Sequence, residues 1–225
     1  MNKYHERNIR AYNQKAAAYD NTLDGKLTKR FKDLLVDVIL ANDSAVQPAF
    51  DTNMADAVDA TIRVETCSVS VLDVGCGNGT FLAKLSEQKN VRGFGVDLSP
   101  QMIANAKSLH PSFVFAVSGC EAIPFDDNSM DIITVCAAYH HFPDVDKFAS
   151  EAKRLLRAGG HIYIADIGLP ALIKPFVNLL MPLSKGGDVR VYSHKEISST
   201  FSSAGFRFVT VVKKGHIQVV VLAKT

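Results

Sequence analysis

Three glycines at alternate positions, Gly75, Gly77 and Gly79, follow the apolar run formed by Val69, Val71, Leu72 and Val74. Glycine lets the backbone take φ > 0 and lets a ligand lie against bare amides, so this turn is suited to an anion or a carboxylate. Asp97, at the end of the apolar run 91–96, lies twenty residues beyond Gly77. At that separation α/β nucleotide sites set a carboxylate against ribose hydroxyls, so a ribosyl ligand is expected. The spacing Gly75-x-Gly77-x-Gly79 departs from G-x-G-x-x-G, whose third glycine permits close helix packing beneath a pyrophosphate, and it points away from a dinucleotide. A third group, Tyr139-His140-His141, follows the run 130–137. Imidazole titrates near working pH, so either histidine is a candidate general base, the alternative being a ligand contact or a helix cap. Adjacent histidines are expected to diverge and no third ligand has suitable spacing, so no metal is expected.

Such groups need a sheet to carry them. From residue 69 the pattern alternates: strand 69–74, helix 81–88, strand 91–96, helix 100–108, strand 113–117, strand 130–137, helix 145–156 and strand 161–167. Alternation of this kind gives a parallel sheet with helices on both faces, and ligands bind at the carboxyl edge of its strands. Ser99-Pro100 opens a helix as N-cap and first residue, and Ala158-Gly159-Gly160 reads as a helix stop. Upstream, 4–19 reads as a helix with Tyr12 and Tyr19 on one face, and 27–40 as a helix whose stripe is Leu27, Phe31, Leu34, Leu35, Val38 and Ile39. Residues 41–66 are acidic and irregular, expected as an insertion. After Asp166 come a proline-interrupted apolar stretch to Leu183, a flexible 184–188, a helix over 193–204, and a hairpin of 206–212 with 216–222.

Four stretches stand in order: Val71-Leu-Asp-Val-Gly-Cys-Gly-Asn-Gly79, Gly95-Val-Asp-Leu-Ser-Pro-Gln-Met102, Glu121-Ala-Ile-Pro-Phe125 with Met130-Asp-Ile-Ile133, and Leu155-Leu-Arg-Ala-Gly-Gly160. On these the chain resembles the class I S-adenosylmethionine-dependent methyltransferases over 69–167, in the small-molecule branch that includes the ubiquinone and menaquinone biosynthesis C-methyltransferases. The resemblance implies a Rossmann-like, mostly parallel α/β sheet of seven strands in the order 3-2-1-4-5-7-6, the last antiparallel. It implies S-adenosylmethionine as cofactor and transfer to a small, partly apolar molecule by in-line displacement, where alignment carries most of the catalysis. On its terms Gly75, Cys76, Gly77, Asn78 and Gly79 hold the methionine moiety, Asp73 faces the α-amino group, and Asp97 accepts from the ribose. Leu98 and Met102 flank the adenine, while Gly119, Cys120 and Glu121 read its edge, in a place where the family often has a further acid that this chain lacks. Tyr12 and Tyr19 belong to a segment that folds over the cofactor, and Tyr192 and His194 join the acceptor pocket. The implied division is 1–66 as a covering N-terminal region, 67–225 as the methyltransferase domain, and 168–192 as an acceptor lid.

At 225 residues and 47% hydrophobic the chain can bury one sizeable core, and its net charge of +2 leaves no footprint for nucleic acid. The pairs Lys153-Arg154 and Lys213-Lys214 read as solvated charges. Cys136-Ala-Ala-Tyr139 replaces the Asn/Asp-Pro-Pro-aromatic signature of nucleobase amino methylation, and Val135 stands where cytosine C5 chemistry needs a proline. Cys67, Cys76, Cys120 and Cys136 show no C-x-x-C pairing and are expected as reduced thiols. No secretory leader is read at the N-terminus, and 171–183 is too short to span a bilayer, so a cytoplasmic monomer or homodimer without membrane insertion is expected. Two other classes share the strand, glycine turn and acid: a nicotinamide-dependent reductase and a non-catalytic S-adenosylmethionine-binding protein.

Overall fold

The computed structural model describes residues 3–42 and 68–225. Its sheet opens with β1 (Val69–Val74), an interior strand in which all six residues are buried. Around it run β2 (Val91–Asp97), β3 (Val114–Val117), β4 (Met130–Cys136), β5 (Leu156–Ile167), β6 (Phe206–Lys214) and β7 (Ile217–Lys224). They form one sheet in the order β3-β2-β1-β4-β5-β7-β6, the order the resemblance implies. β7 pairs antiparallel with β5 and β6, and the other pairings are parallel.

Alternation of side chains along the strands splits the core in two. Leu72, Ile133, Ile162 and Val220 face α5 (Val145–Leu155) and α7 (His194–Ser203) through Phe148, Ile197 and Phe201. Val71, Ile132, Tyr163 and Val219 face the other side, covered by α2 (Leu23–Ala41), α3 (Thr80–Ser86) and α4 (Pro100–Leu109) through Leu35, Leu82 and Ile103. Each such large side chain stabilises the fold by about 1.5–3 kcal/mol on burial. A polar staple joins the starts of β1, β4 and β5: Asp131 accepts from the Ser70 amide at 2.8 Å and from Arg157 Nη1 at 2.6 Å.

Several local expectations need correction. The glycines expected to stop helix α5 lie inside β5, which begins directly at Leu156. Pairing with β4 jumps from Met130–Leu156 to Ile132–His161, a bulge in which Gly159 takes φ 73° and a Cβ on Gly160 would lie 3.0 Å from the Asp131 carbonyl. At the N-terminus α1 (Lys3–Lys15) ends four residues early and continues as a 3₁₀ turn, Ala16–Asn21, because Asn78 Nδ2 draws the Ala16 carbonyl and the Asp20 carboxylate to the glycine loop. α2 starts at Leu23 under a Thr22 cap whose Oγ1 accepts from the Gly25 amide, and Leu27 is off its buried stripe, 44% exposed. The acidic insertion expected over 41–66 falls, from residue 43, outside the described residues.

Beyond β5 the chain forms α6 (Lys174–Leu180) and a 3₁₀ turn, Met181–Leu183, whose large apolar side chains face outward; Phe176 is 72% exposed. The stretch expected to be flexible, 184–188, is a turn packed on α1. Gly187 takes φ 79°, and a Cβ there would meet the Tyr4 carbonyl at 2.6 Å, so the close approach depends on glycine. Among the described residues no helix is long and apolar enough to cross a membrane.

Candidate functional site

At the carboxyl ends of β1, β2 and β4 lies a cavity of about 810 Å³, its open mouth included. Its floor is the glycine turn. Gly75, Gly77 and Gly79 have φ of 79°, 52° and 77°, which bends the chain from β1 into α3, and their amides are used within the turn: Gly75 donates to the Val96 carbonyl at 2.8 Å, Gly79 to the Cys76 carbonyl at 2.9 Å and Gly77 to Asp97. A Cβ on Gly77 would meet nothing within 4 Å, so the cavity reaches the backbone itself. Asp97, at the end of β2, spans the turn and the next helix: its Oδ2 accepts from the Gly77 amide at 2.9 Å and its Oδ1 from the Ser99 amide at 2.8 Å. Burial pushes its carboxyl up, and these two amides oppose that shift. Ser99 also caps α4, accepting from the Met102 amide at 3.1 Å and donating to Asn13 Oδ1 at 2.6 Å, which ties α1 over the site.

Asp73, two residues before the turn, is buried, and its Oδ1 accepts from Thr134 Oγ1 at 2.8 Å. Burial raises its carboxyl to about 7, against the opposing pull of that bond and of Lys32. Lys32, on α2, lines the cavity and hydrogen-bonds Thr80 at the start of α3. Nothing in the residue pattern marks this lysine as a site residue. It lies among Lys26, Lys29 and Arg30 on a helix whose polar face reads as solvated.

Of the residues picked out from the sequence, the cavity wall takes Tyr12, Tyr19, Gly75, Cys76, Gly77, Asn78, Asp97, Leu98, Met102, Cys120 and His141. Gly79, Asp73, Gly119 and Glu121 are not on the wall: a Cβ on Gly79 would lie 2.7 Å from Phe115, Asp73 is buried, and the Glu121 carboxylate lies 3.3 Å from His5 Nε2 on α1. Tyr139 is turned away into an aromatic cluster with Phe142, Phe148 and Phe201, and Tyr192 meets it edge-on at 5.1 Å. Tyr192 and His194 are not on the cavity wall, nor is any residue of 168–192. Cys76, Cys120 and Cys136 are free thiols, all pushed up by burial and therefore protonated near neutral pH, whereas Cys67 lies outside the described residues.

The two histidines do not diverge. After β4 the backbone takes φ 52° at Ala137 and enters the 3₁₀ turn Tyr139–His141, which sets the rings 4.1 Å apart. His140 Nδ1 lies 2.8 Å from Oδ1 of Asp166, whose Oδ2 accepts from the His140 amide at 2.9 Å. His141 Nε2 lies 3.1 Å from the Tyr12 hydroxyl. Asp188, from the turn packed on α1, reaches both rings, at 3.0 Å from His141 Nδ1 and 3.7 Å from His140 Nε2. Burial lowers His140, but the Asp166 charge and bond outweigh it and leave it raised; burial and the His140 charge hold His141 low. The histidine contacts hold Asp188 at about 2 despite burial. Sequence reading missed Asp166 and Asp188. Asp166 could have been found as an acid in a buried strand end, while Asp188 carries no local signal.

Residues 72–164 match the model of the family described as a methyltransferase domain. The chain is similar to the demethylmenaquinone methyltransferase of Chlorobaculum tepidum, 32% identical over 100 residues that cover 44% of this chain and 41% of that one. It is also similar to YcgJ, an uncharacterized methyltransferase of Bacillus subtilis, 32% identical over 160 residues that cover 66% and 63%. The crystal structure of YcgJ superposes with a TM-score of 0.60 at 22% identity, covering 73% of this chain and 96% of that chain. The chain spans only 31% to 41% of the length of the first curated relatives it matches.

Proposed function

We propose that this chain, whose residues 72–164 carry the match to the methyltransferase domain family and whose sheet has the fold of a solved relative, transfers a methyl group from S-adenosylmethionine to a small, partly apolar acceptor. One observation carries the reading. Gly77 and the Asp97 carboxylate, which accepts from the Gly77 amide at 2.9 Å, stand together on the wall of one cavity at the sheet's carboxyl edge. The cradle suits that ligand, since an added Cβ at Gly77 would occupy ligand space.

Each residue then has a task. The Lys32 ammonium holds a carboxylate laid against the turn, and Asp73 offsets the neighbouring α-ammonium. Asp97 keeps lone pairs for two ribose hydroxyls beyond the two amides it already accepts from. Leu98 and Met102 face the adenine, with Cys120 at its edge. Tyr12 and Tyr19, with ring centroids 5.8 Å apart, cover the site and exclude water. The bound cofactor supplies a methyl group on a sulfonium. The protein's own contribution is alignment, with His141 the one member of Tyr139, His140 and His141 on the cavity wall, placed to contact cofactor or acceptor or to take a proton.

The similarity to a demethylmenaquinone methyltransferase supports demethylmenaquinone as the first acceptor to try. The free thiols support a reducing, cytoplasmic setting, and we read the active form as a monomer or homodimer. The test is calorimetric titration with S-adenosylmethionine and with NADH, followed by a labelled-methyl assay over a cell extract with the product identified by mass. Micromolar binding of the first ligand and a methylated small molecule are expected. Tighter binding of NADH would overturn the reading in favour of a reductase, and cofactor retention with no methylated product would make the chain a binding protein.

A further inference from the structure

We propose that His140 Nε2, His141 Nδ1 and Asp188 Oδ1 form a binding site for one divalent transition-metal ion of the zinc class, beside the cavity. The ligating atoms of the three residues all lie within 4.8 Å of one another. For ligands about 2.0–2.1 Å from a tetrahedral ion, neighbouring ligand atoms lie about 3.3 Å apart. The two contacts of Asp188 Oδ1, 3.0 Å and 3.7 Å, bracket that value.

Three further features point to a cation rather than to a plain ion-pair cluster. His141 Nδ1 is buried and its one close polar neighbour is the Asp188 carboxylate at 3.0 Å, an off-line contact that leaves the nitrogen lone pair available to an ion between them. Each imidazole has its second nitrogen held from behind. The Asp166 carboxylate takes His140 Nδ1, leaving Nε2 for the ion, and the Tyr12 hydroxyl takes His141 Nε2, leaving Nδ1. That is the carboxylate–histidine–metal arrangement, with outer partners that fix the orientation of the rings. The ligands also come from two rigid places, since the histidines sit in one 3₁₀ turn and Val189 and Arg190 both donate their amides to the His140 carbonyl, at 2.8 and 3.2 Å.

Two imidazoles and one carboxylate select zinc, iron, cobalt or nickel over magnesium or calcium, and three protein ligands leave a position open. His141 also lines the cavity, so the site adjoins it.

The test uses the full chain, stripped with a chelator and titrated with zinc against a chromophoric competitor, and with cobalt by visible absorption. One equivalent of zinc is expected, with cobalt bands of a nitrogen and oxygen set and no thiolate charge-transfer band. Asp188→Ala and His141→Ala should each weaken binding at least tenfold, and Asp166→Asn about tenfold, the size of effect found for outer partners. Cooperative unfolding of each metal-free variant checks that it folds. Absence of saturable one-to-one binding in the wild type would overturn the site. So would undiminished affinity in Asp188→Ala and His141→Ala, or a thiolate band, either of which would put the ion elsewhere. S-adenosylmethionine affinity measured on the same preparations separates this outcome from failure of the proposed activity.

Discussion

Asp97→Asn isolates the residue on which the cofactor reading turns. The carboxylate offers four lone-pair positions, of which the Gly77 and Ser99 amides use two at 2.9 and 2.8 Å. Two remain for ribose hydroxyls, and each hydrogen bond to a charged group contributes about 1.5–3 kcal/mol net. Together they amount to about 3–6 kcal/mol, which is roughly a hundredfold to ten-thousandfold in Kd. Asparagine keeps one oxygen, enough for the Ser99 amide and one hydroxyl, but turns a donor toward the Gly77 N–H. One ribose bond then survives in neutral form, so the expected loss is about a hundredfold for Asn and nearer a thousandfold for Ala. Stability should change far less. Burial already pushes the Asp97 carboxyl up, so its charge is costly within the fold, and the variant mainly leaves one amide without an acceptor. That costs about 1–2 kcal/mol, or roughly 2–8 °C in Tm for a domain of this size. Calorimetric titration with S-adenosylmethionine and scanning calorimetry of the same samples make the comparison. A cooperatively folded Asp97→Asn protein that binds within threefold of wild type would refute the assignment of this acid to the ribose.

Gly75→Ala and Gly77→Ala should separate folding from binding. Both force alanine into a positive φ at about 1–2 kcal/mol. At Gly75 the Cβ would also lie 2.6 Å from the Ala138 Cβ, whereas at Gly77 it meets only open cavity. Denaturant unfolding is expected to show a loss of about 2–4 kcal/mol for Gly75→Ala, and cofactor titration a drop of tenfold or more for Gly77→Ala at a cost to the fold of about 1–2 kcal/mol. Asp73 gives a pH dependence. Its folded value, about 7, lies above the ordinary 3.8, so the folded state holds a proton that the unfolded chain has released. The stability this proton contributes is present at low pH and is lost as pH rises from about 4 through about 7. Asp73→Asn should remove up to about 4 kcal/mol of that decline, read as a flatter plot of unfolding free energy against pH. Cofactor affinity should in turn weaken as pH falls below about 7, where Asp73 takes up its proton and no longer faces an ammonium with a charge. Arg154→Lys tests the loop 123–127. The guanidinium donates to Glu151, Asp127 and the carbonyls of Phe125 and Ile123, all at 2.6–2.9 Å, a fork that an ammonium cannot reproduce. A loss of about 2–3 kcal/mol in stability is expected from equilibrium unfolding, larger than for a solvated surface arginine.

What could be read from the sequence follows from where each conformation is decided. The turn at Gly75, Gly77 and Gly79 is set by residues that alone take positive φ cheaply, and Asp97 sits at the end of a strand whose register with β1 is set by the same apolar period. Both are local properties, so spacing alone brought them together. Lys32, Asp166 and Asp188 enter the site through contacts across the sheet edge or between segments far apart in sequence. Periodicity shows which face of a helix is apolar, but not what stands opposite the boundary of that face. Arg154 illustrates the limit: beside Lys153 it reads as a solvated charge, yet its carbonyl and carboxylate partners hold the 123–127 loop. The histidine pair shows the sharpest form of the same limit. Neighbouring side chains point apart in extended chain, which is what divergence of the pair beyond the expected strand 130–137 requires. The strand instead stops at Cys136, and Ala137, at φ 52°, starts a 3₁₀ turn in which the two rings come to lie together. One backbone angle at a non-glycine residue therefore decides whether these histidines act singly or as a pair, and the conformation rests on the Ala137 amide donating to the Ala165 carbonyl of β5 at 2.8 Å. That bond spans twenty-eight residues, beyond the reach of any local pattern.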